Sequence, residues 1–180
     1  MPHLAFAHVV NRRFGDFYAG MLHPFAGFEH ILPIIAMALL AGQRGAAAGR
    51  AVLLAFPLSL AAGITLGMTV ASPLRIIDMI NLGSFIVLGA LVAGAWRLPA
   101  KVLPLLAIFF GLTLGFANGV DLTSEVSAAL FLLGVVATSV IITALGAAMV
   151  VSLKSDWQNI AVRVAGSWIL AIGILMLGLA

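Results

Sequence analysis

Residues 126–151 read VSAALFLLGVVATSVIITALGAAMVV, and no residue but the early Ser127 interrupts the apolar run before Thr138. A helix rises about 1.5 Å per residue, and roughly 20 mostly apolar residues cross a hydrocarbon core about 30 Å thick. The run is long enough to span a bilayer without a charge. Working outward, apolar segments of similar kind lie at 24–42, 51–71, 77–96, 102–119 and 160–179, each ending at charges or Gly/Pro clusters. The connections are short: Gln43-Arg44-Gly45, Ser72-Pro73, 97–101, 119–125 and Lys154-Ser155-Asp156. Trp96 and Trp157 stand at expected interfaces, where an amphipathic ring is favoured.

The totals agree. Of 180 residues, 63% are hydrophobic and 8% charged, with a mean hydropathy of +1.22. A water-soluble domain of this length needs more polar surface to cover itself. The expectation is an all-α, polytopic integral membrane helical bundle of about six transmembrane helices. It forms a single domain over 1–180, with residues 1–22 as a periplasmic N-terminal segment. The basic balance does not indicate nucleic acid, because the nine Lys and Arg are scattered singly between apolar runs. With no cysteine, thiolate metal sites and disulfides are excluded, so a metal must be held by imidazole, carboxylate, amide or backbone oxygen.

Sidedness follows from the charges. Connections 1–2, 3–4 and 5–6 carry Arg44, Arg50, Arg97, Lys101, Lys154 and Arg163, against Arg12, Arg13 and Arg75 opposite. The positive-inside rule places the first set in the cytoplasm and both termini outside. Asp16, Glu29, Asp78, Asp121, Glu125 and all four histidines (His3, His8, His23 and His30) then fall at the outer side. An outside N-terminus usually requires a signal peptide. Ala5-Phe6-Ala7 resembles a cleavage site, but the apolar region that should precede it is missing.

The segment His23-Pro24-Phe25-Ala26-Gly27-Phe28-Glu29-His30 carries the most chemistry. Two imidazoles and a carboxylate at a membrane entrance are costly unless they have partners. Pro24 suits a first helical position, with His23 just before the helix. In an unbroken helix His23 and His30 would stand two turns apart, roughly 10 Å, too far to share one ion. Either Pro24 and Gly27 break the helix and fold His23 back, or the residues are successive stations along an entry path. Asp78 has Asn81 three residues on, on the same helical face. Its plainer reading is a carboxylate favoured at a helix N-terminus, or paired with Arg75. Asn118 and Asp121 close the fourth span beside Gly111, Gly115 and Gly119, whose commonest meaning is helix packing. No Ser-His-Asp set, phosphate loop or HExxH occurs, and the chain does not read as an enzyme.

These residues resemble the HupE/UreJ family, small membrane proteins associated with hydrogenase and urease clusters and regarded as nickel or cobalt permeases. The family's first motif, HP-x-x-G-x-DH, is similar to His23-Pro24, Gly27 and Glu29-His30, with Glu in place of Asp. Asp78 followed by an apolar run to Arg97-Leu98-Pro99 also resembles it. A later motif, Gly-His-Ala-His-Gly-x-Glu, aligns with Gly115-Phe116-Ala117-Asn118-Gly119-Val120-Asp121, where Phe116 and Asn118 replace the histidines. The resemblance, over about 15–152, implies an inner-membrane permease for a divalent transition metal, nickel first. His23, Glu29, His30, Asp78, Asn118 and Asp121 are the implied metal-capture residues at the periplasmic face. It implies no resident cofactor; nickel, or else cobalt, zinc or copper, is substrate or ligand. The alternative is a non-transporting accessory or metal-binding protein for a metalloenzyme. Beyond the lipid bilayer and the metal ion, the candidate partners are a second copy or another membrane protein. Nickel favours nitrogen donors, so replacing imidazole by carboxamide implies weaker and less selective binding.

Overall fold

Five of the six apolar runs each become one helix, while the run that begins at residue 24 is divided. The computed structural model describes residues 15–70, 72–99, 101–122 and 126–179. Expectations placed on residues 1–14 (the cleavage site, His3, His8, Arg12 and Arg13) and on Glu125 lie outside the described residues. Among the described residues every regular element is helical: α1 (Gly15–Phe25), α2 (Phe28–Gln43), α3 (Ala46–Gly67), α4 (Arg75–Gly94), α5 (Val102–Val120), α6 (Ala128–Ser152) and α7 (Asp156–Leu179). Helices α3 to α7 are each long and apolar enough to cross a membrane. The pair α1 and α2, bent by 75°, makes a sixth when taken as one span. This is a multi-pass helical membrane bundle.

Helix α2 has 16 residues, about 24 Å of rise against a core of about 30 Å. It is nonetheless the centre of the bundle, touching α3, α4, α5, α6 and α7. Ile34, Ala36, Met37, Ala38, Leu40 and Ala41 are almost wholly buried. On the outer surfaces Leu54, Leu58, Leu105, Leu145, Trp168 and Leu175 are largely exposed, as lipid-facing side chains are.

Lipid tails are as apolar as leucine, so helices here associate through close packing rather than through release of water. The tightest seam joins α3 to α5. A β-carbon at Gly111 would collide with the Ser59 side chain, one at Gly115 with the Leu60 carbonyl, and one at Gly119 with the Ile64 carbonyl. The glycine ridge is therefore a packing device, as its spacing suggests. At the end of the bundle away from the histidines, Gln43 Nε2 donates to Val92 O at 3.0 Å. Arg163 Nε donates to Ala93 O at 2.8 Å. Two neighbouring helices thus donate to carbonyls at the C-terminus of α4, where Val92 O also accepts from Ala95 N at 3.2 Å and the helix leaves its last carbonyls short of partners.

Candidate functional site

The break between α1 and α2 builds the site. Proline disfavours helical geometry in the residue before it and has no N–H to donate. Helix α1 accordingly tightens into a 3-10 turn at His23–Phe25 and ends, with Ala26 N donating to His23 O at 2.9 Å. Gly27 is extended and restarts the chain, its carbonyl accepting from His30 N and Ile31 N. Pro24 thus sits inside the closing turn of α1 instead of opening the next helix. The segment expected as one span from 24 is divided at Ala26 and Gly27.

Any residue could adopt the backbone angles of Gly27. The Glu29 carboxylate folds back over the N-terminus of α2 into the space a β-carbon would fill, and a side chain at 27 would have to displace it. A carboxylate is favoured at that positive end of the helix.

Of the two alternatives left by the sequence, the fold-back is the one observed. The His23 and His30 rings lie 4.5 Å apart between centroids, tilted by 39°. His23 Nε2 is 3.4 Å from Asn118 Oδ1 on α5, and Phe131 of α6 meets the His23 ring edge-on at 5.1 Å. His30 Nε2 lies 3.6 Å from Glu29 Oε1, with the imidazole 16% and the carboxylate 54% exposed. His30 Nδ1 is buried without a hydrogen-bond partner among the described residues. A buried nitrogen in that state is costly unless something binds it.

Glu29, His30, Asp78 and Asp121 all line one cavity of about 430 Å³, between α2, α4, α5 and α7. A divalent ion with six waters fills roughly 180 Å³, at about 30 Å³ per water, so a hydrated ion fits. A smaller recess beside it shares Asp78 and Asp121 and is walled by Phe116. His23 and Asn118 form a pair next to the cavity, through the contact of His23 with His30. Among the described residues no ion pair involves Asp78, and Arg75 does not hold it. Also among the described residues, no three His, Asp or Glu side chains converge tightly enough to grip a bare ion. The arrangement concentrates negative charge and imidazole at one mouth. Such a mouth has the room and the charge to accommodate a hydrated cation.

Three participants carried no assigned role in the sequence reading. Phe131 packs on His23 from α6, and Met176 of α7 lines the cavity. Asp16 Oδ2 accepts from Ser127 N at 3.0 Å, tying the start of α1 to the approach to α6. None had a local signal, since each acts across helices distant in sequence. Asn81 also lines the cavity, and its signal was visible as the three-residue spacing from Asp78.

The described residues thus define a helical membrane bundle with imidazoles and carboxylates gathered at one end. Comparison with known proteins narrows the class. The HupE/UreJ protein family matches residues 1–176, and the chain belongs to that family. It is 29% identical over 178 residues to Protein HupE of Rhizobium leguminosarum bv. viciae, covering 98% of this chain and 92% of that protein. No solved structure matches the chain.

Proposed function

We propose that this protein is an inner-membrane permease for a divalent transition metal, nickel first, with its capture site at the periplasmic face and both termini on that side. The observation that carries the reading is the fold-back at Ala26 and Gly27, which sets His23 against His30 beside a cavity lined by three carboxylates. Membership of the HupE/UreJ family supports a role in supplying metal to hydrogenase or urease. The roles divide by chemistry. Glu29, Asp78 and Asp121 attract and hold the hydrated ion, and the imidazoles supply the nitrogen donors that nickel prefers over oxygen. Asn118 keeps His23 in place where the family pattern has a histidine. Weak capture is compatible with this role, because transport needs release as well as binding.

A second reading has one observation in its favour. Phe85, which lines the cavity, belongs with Met37, Leu40 and Leu88 to one fully buried apolar core. A non-transporting accessory protein that presents metal to a partner would be built this way, whereas a permease must open that core. The test is nickel uptake by cells expressing the wild type, His23→Ala or Glu29→Ala. The permease reading expects uptake above that of vector-only cells, falling in both variants. Equal uptake in all three proteins would sink it. Metal bound to the purified protein without flux in proteoliposomes would favour the accessory reading.

A further inference from the structure

The acidic mouth accounts for capture but not for what the ion meets next. Asn81 lies one turn from Asp78 along α4 toward the interior, about 4.5 Å of helical rise. It lines the same cavity yet is only 9% exposed. Its side chain is held in one orientation from across the interface. Nδ2 donates to the Thr113 carbonyl of α5 at 3.2 Å, while the Thr113 hydroxyl is turned back on Phe110 O. With the amide nitrogen committed to α5, the carboxamide oxygen is the group left for the cavity. Phe85 and Leu114, which flank it there, are apolar.

We propose that the Asn81 carboxamide oxygen is an inner ligand for the divalent cation, taking the place of water as the ion moves inward from Asp78 alongside His30. This rests on the metal-capture reading and adds a second position to it. His30, which lines the same cavity, keeps its Nδ1 buried with no hydrogen bond among the described residues. The chemistry fits passage. Three carboxylates concentrate the ion, but a neutral oxygen in apolar surroundings holds it weakly enough to let it go. A carboxylate at the same place would hold it too well. Because Asn81 is anchored by a helix backbone, its oxygen is positioned before the ion arrives.

The test uses the full-length purified protein, with nickel binding, cobalt(II) absorption and proteoliposome flux measured for the wild type, Asn81→Asp and Asn81→Leu. Cobalt reports its own ligands through its ligand-field bands. Asn81→Asp is expected to tighten nickel binding about tenfold, shift the cobalt bands and slow flux by retarding release. Asn81→Leu is expected to keep capture at the mouth but reduce flux about tenfold. A purely structural Asn81 predicts instead that both variants lower the melting temperature and leave the cobalt spectrum of the folded fraction unchanged. An unchanged spectrum and affinity in Asn81→Asp overturns the proposal, as does wild-type flux in Asn81→Leu. If the leucine variant does not fold, the aspartate variant decides alone. Should the wild type bind cobalt but move no metal, the permease reading fails while the shift in Asn81→Asp still upholds the ligand assignment.

Discussion

The α3–α5 seam gives a quantitative test in which one chemical change has opposite signs at two places. Gly115→Ala and Gly83→Ala each add one methyl group inside a helix. A β-carbon at Gly115 meets the Leu60 carbonyl and the Ile64 nitrogen, which are helix backbone and cannot rotate away. At Gly83 it meets nothing within 4 Å. Alanine is favoured over glycine in a helix interior by about 0.5–1 kcal/mol, a gain available at both sites. Overpacking a fitted interface costs about 1–3 kcal/mol, so Gly115→Ala should lose on the order of 1–2 kcal/mol net. For a chain of this size about 1 kcal/mol moves the melting temperature by roughly 2–4 °C. Gly115→Ala should therefore melt about 2–8 °C below the wild type, and Gly83→Ala about 1–4 °C above it. The site should feel the first change only. Helix α5 carries Asn118, whose contact with His23 is already long at 3.4 Å, so pushing α5 from α3 should also weaken nickel binding. Thermal loss of helical circular dichroism in detergent, with nickel titration of the same samples, measures both. Equal melting temperatures for the two variants, or a lower one for Gly83→Ala, would refute the packing account of the glycine ridge.

Two further outcomes are expected. Asn118→His puts a third imidazole beside His23 and His30 and should tighten nickel binding by about tenfold or more, since nickel prefers imidazole to carboxamide. Isothermal titration reads this, and unchanged affinity would mean that residue 118 does not reach the ion. Thr143 Oγ1 is fully buried with no hydrogen-bond partner among the described residues. Thr143→Val should therefore raise stability by about 1 kcal/mol, since an unsatisfied buried hydroxyl carries its whole desolvation cost. The melting temperature checks it, and a destabilised variant would show that the hydroxyl has a partner.

Some of this was plain in the residues alone. Hydropathy is a sum over neighbours in the chain, and each helix in lipid must satisfy its backbone internally. Membrane class and helix positions were therefore legible from apolar runs such as 126–151, and so was the gathering of Glu29, Asp78 and Asp121 toward one end. The packing role of Gly111, Gly115 and Gly119 was legible too, because a four-residue spacing sets them on one helix face. Tertiary structure decided everything that depends on which faces meet. The sequence left open whether His23 and His30 are stations roughly 10 Å apart or neighbours. The 75° break sets their rings 4.5 Å from each other. The approach of Asn118 to His23, across 95 positions of chain, depends on how α5 meets the end of α1 in the bundle, which no local pattern encodes. Asn81 was visible beside Asp78, but only the α4–α5 contact turns its nitrogen to Thr113 and leaves its oxygen to the cavity. Solvation preference is local and can be read along the chain; ligand geometry is a relation between helices and exists only once they pack.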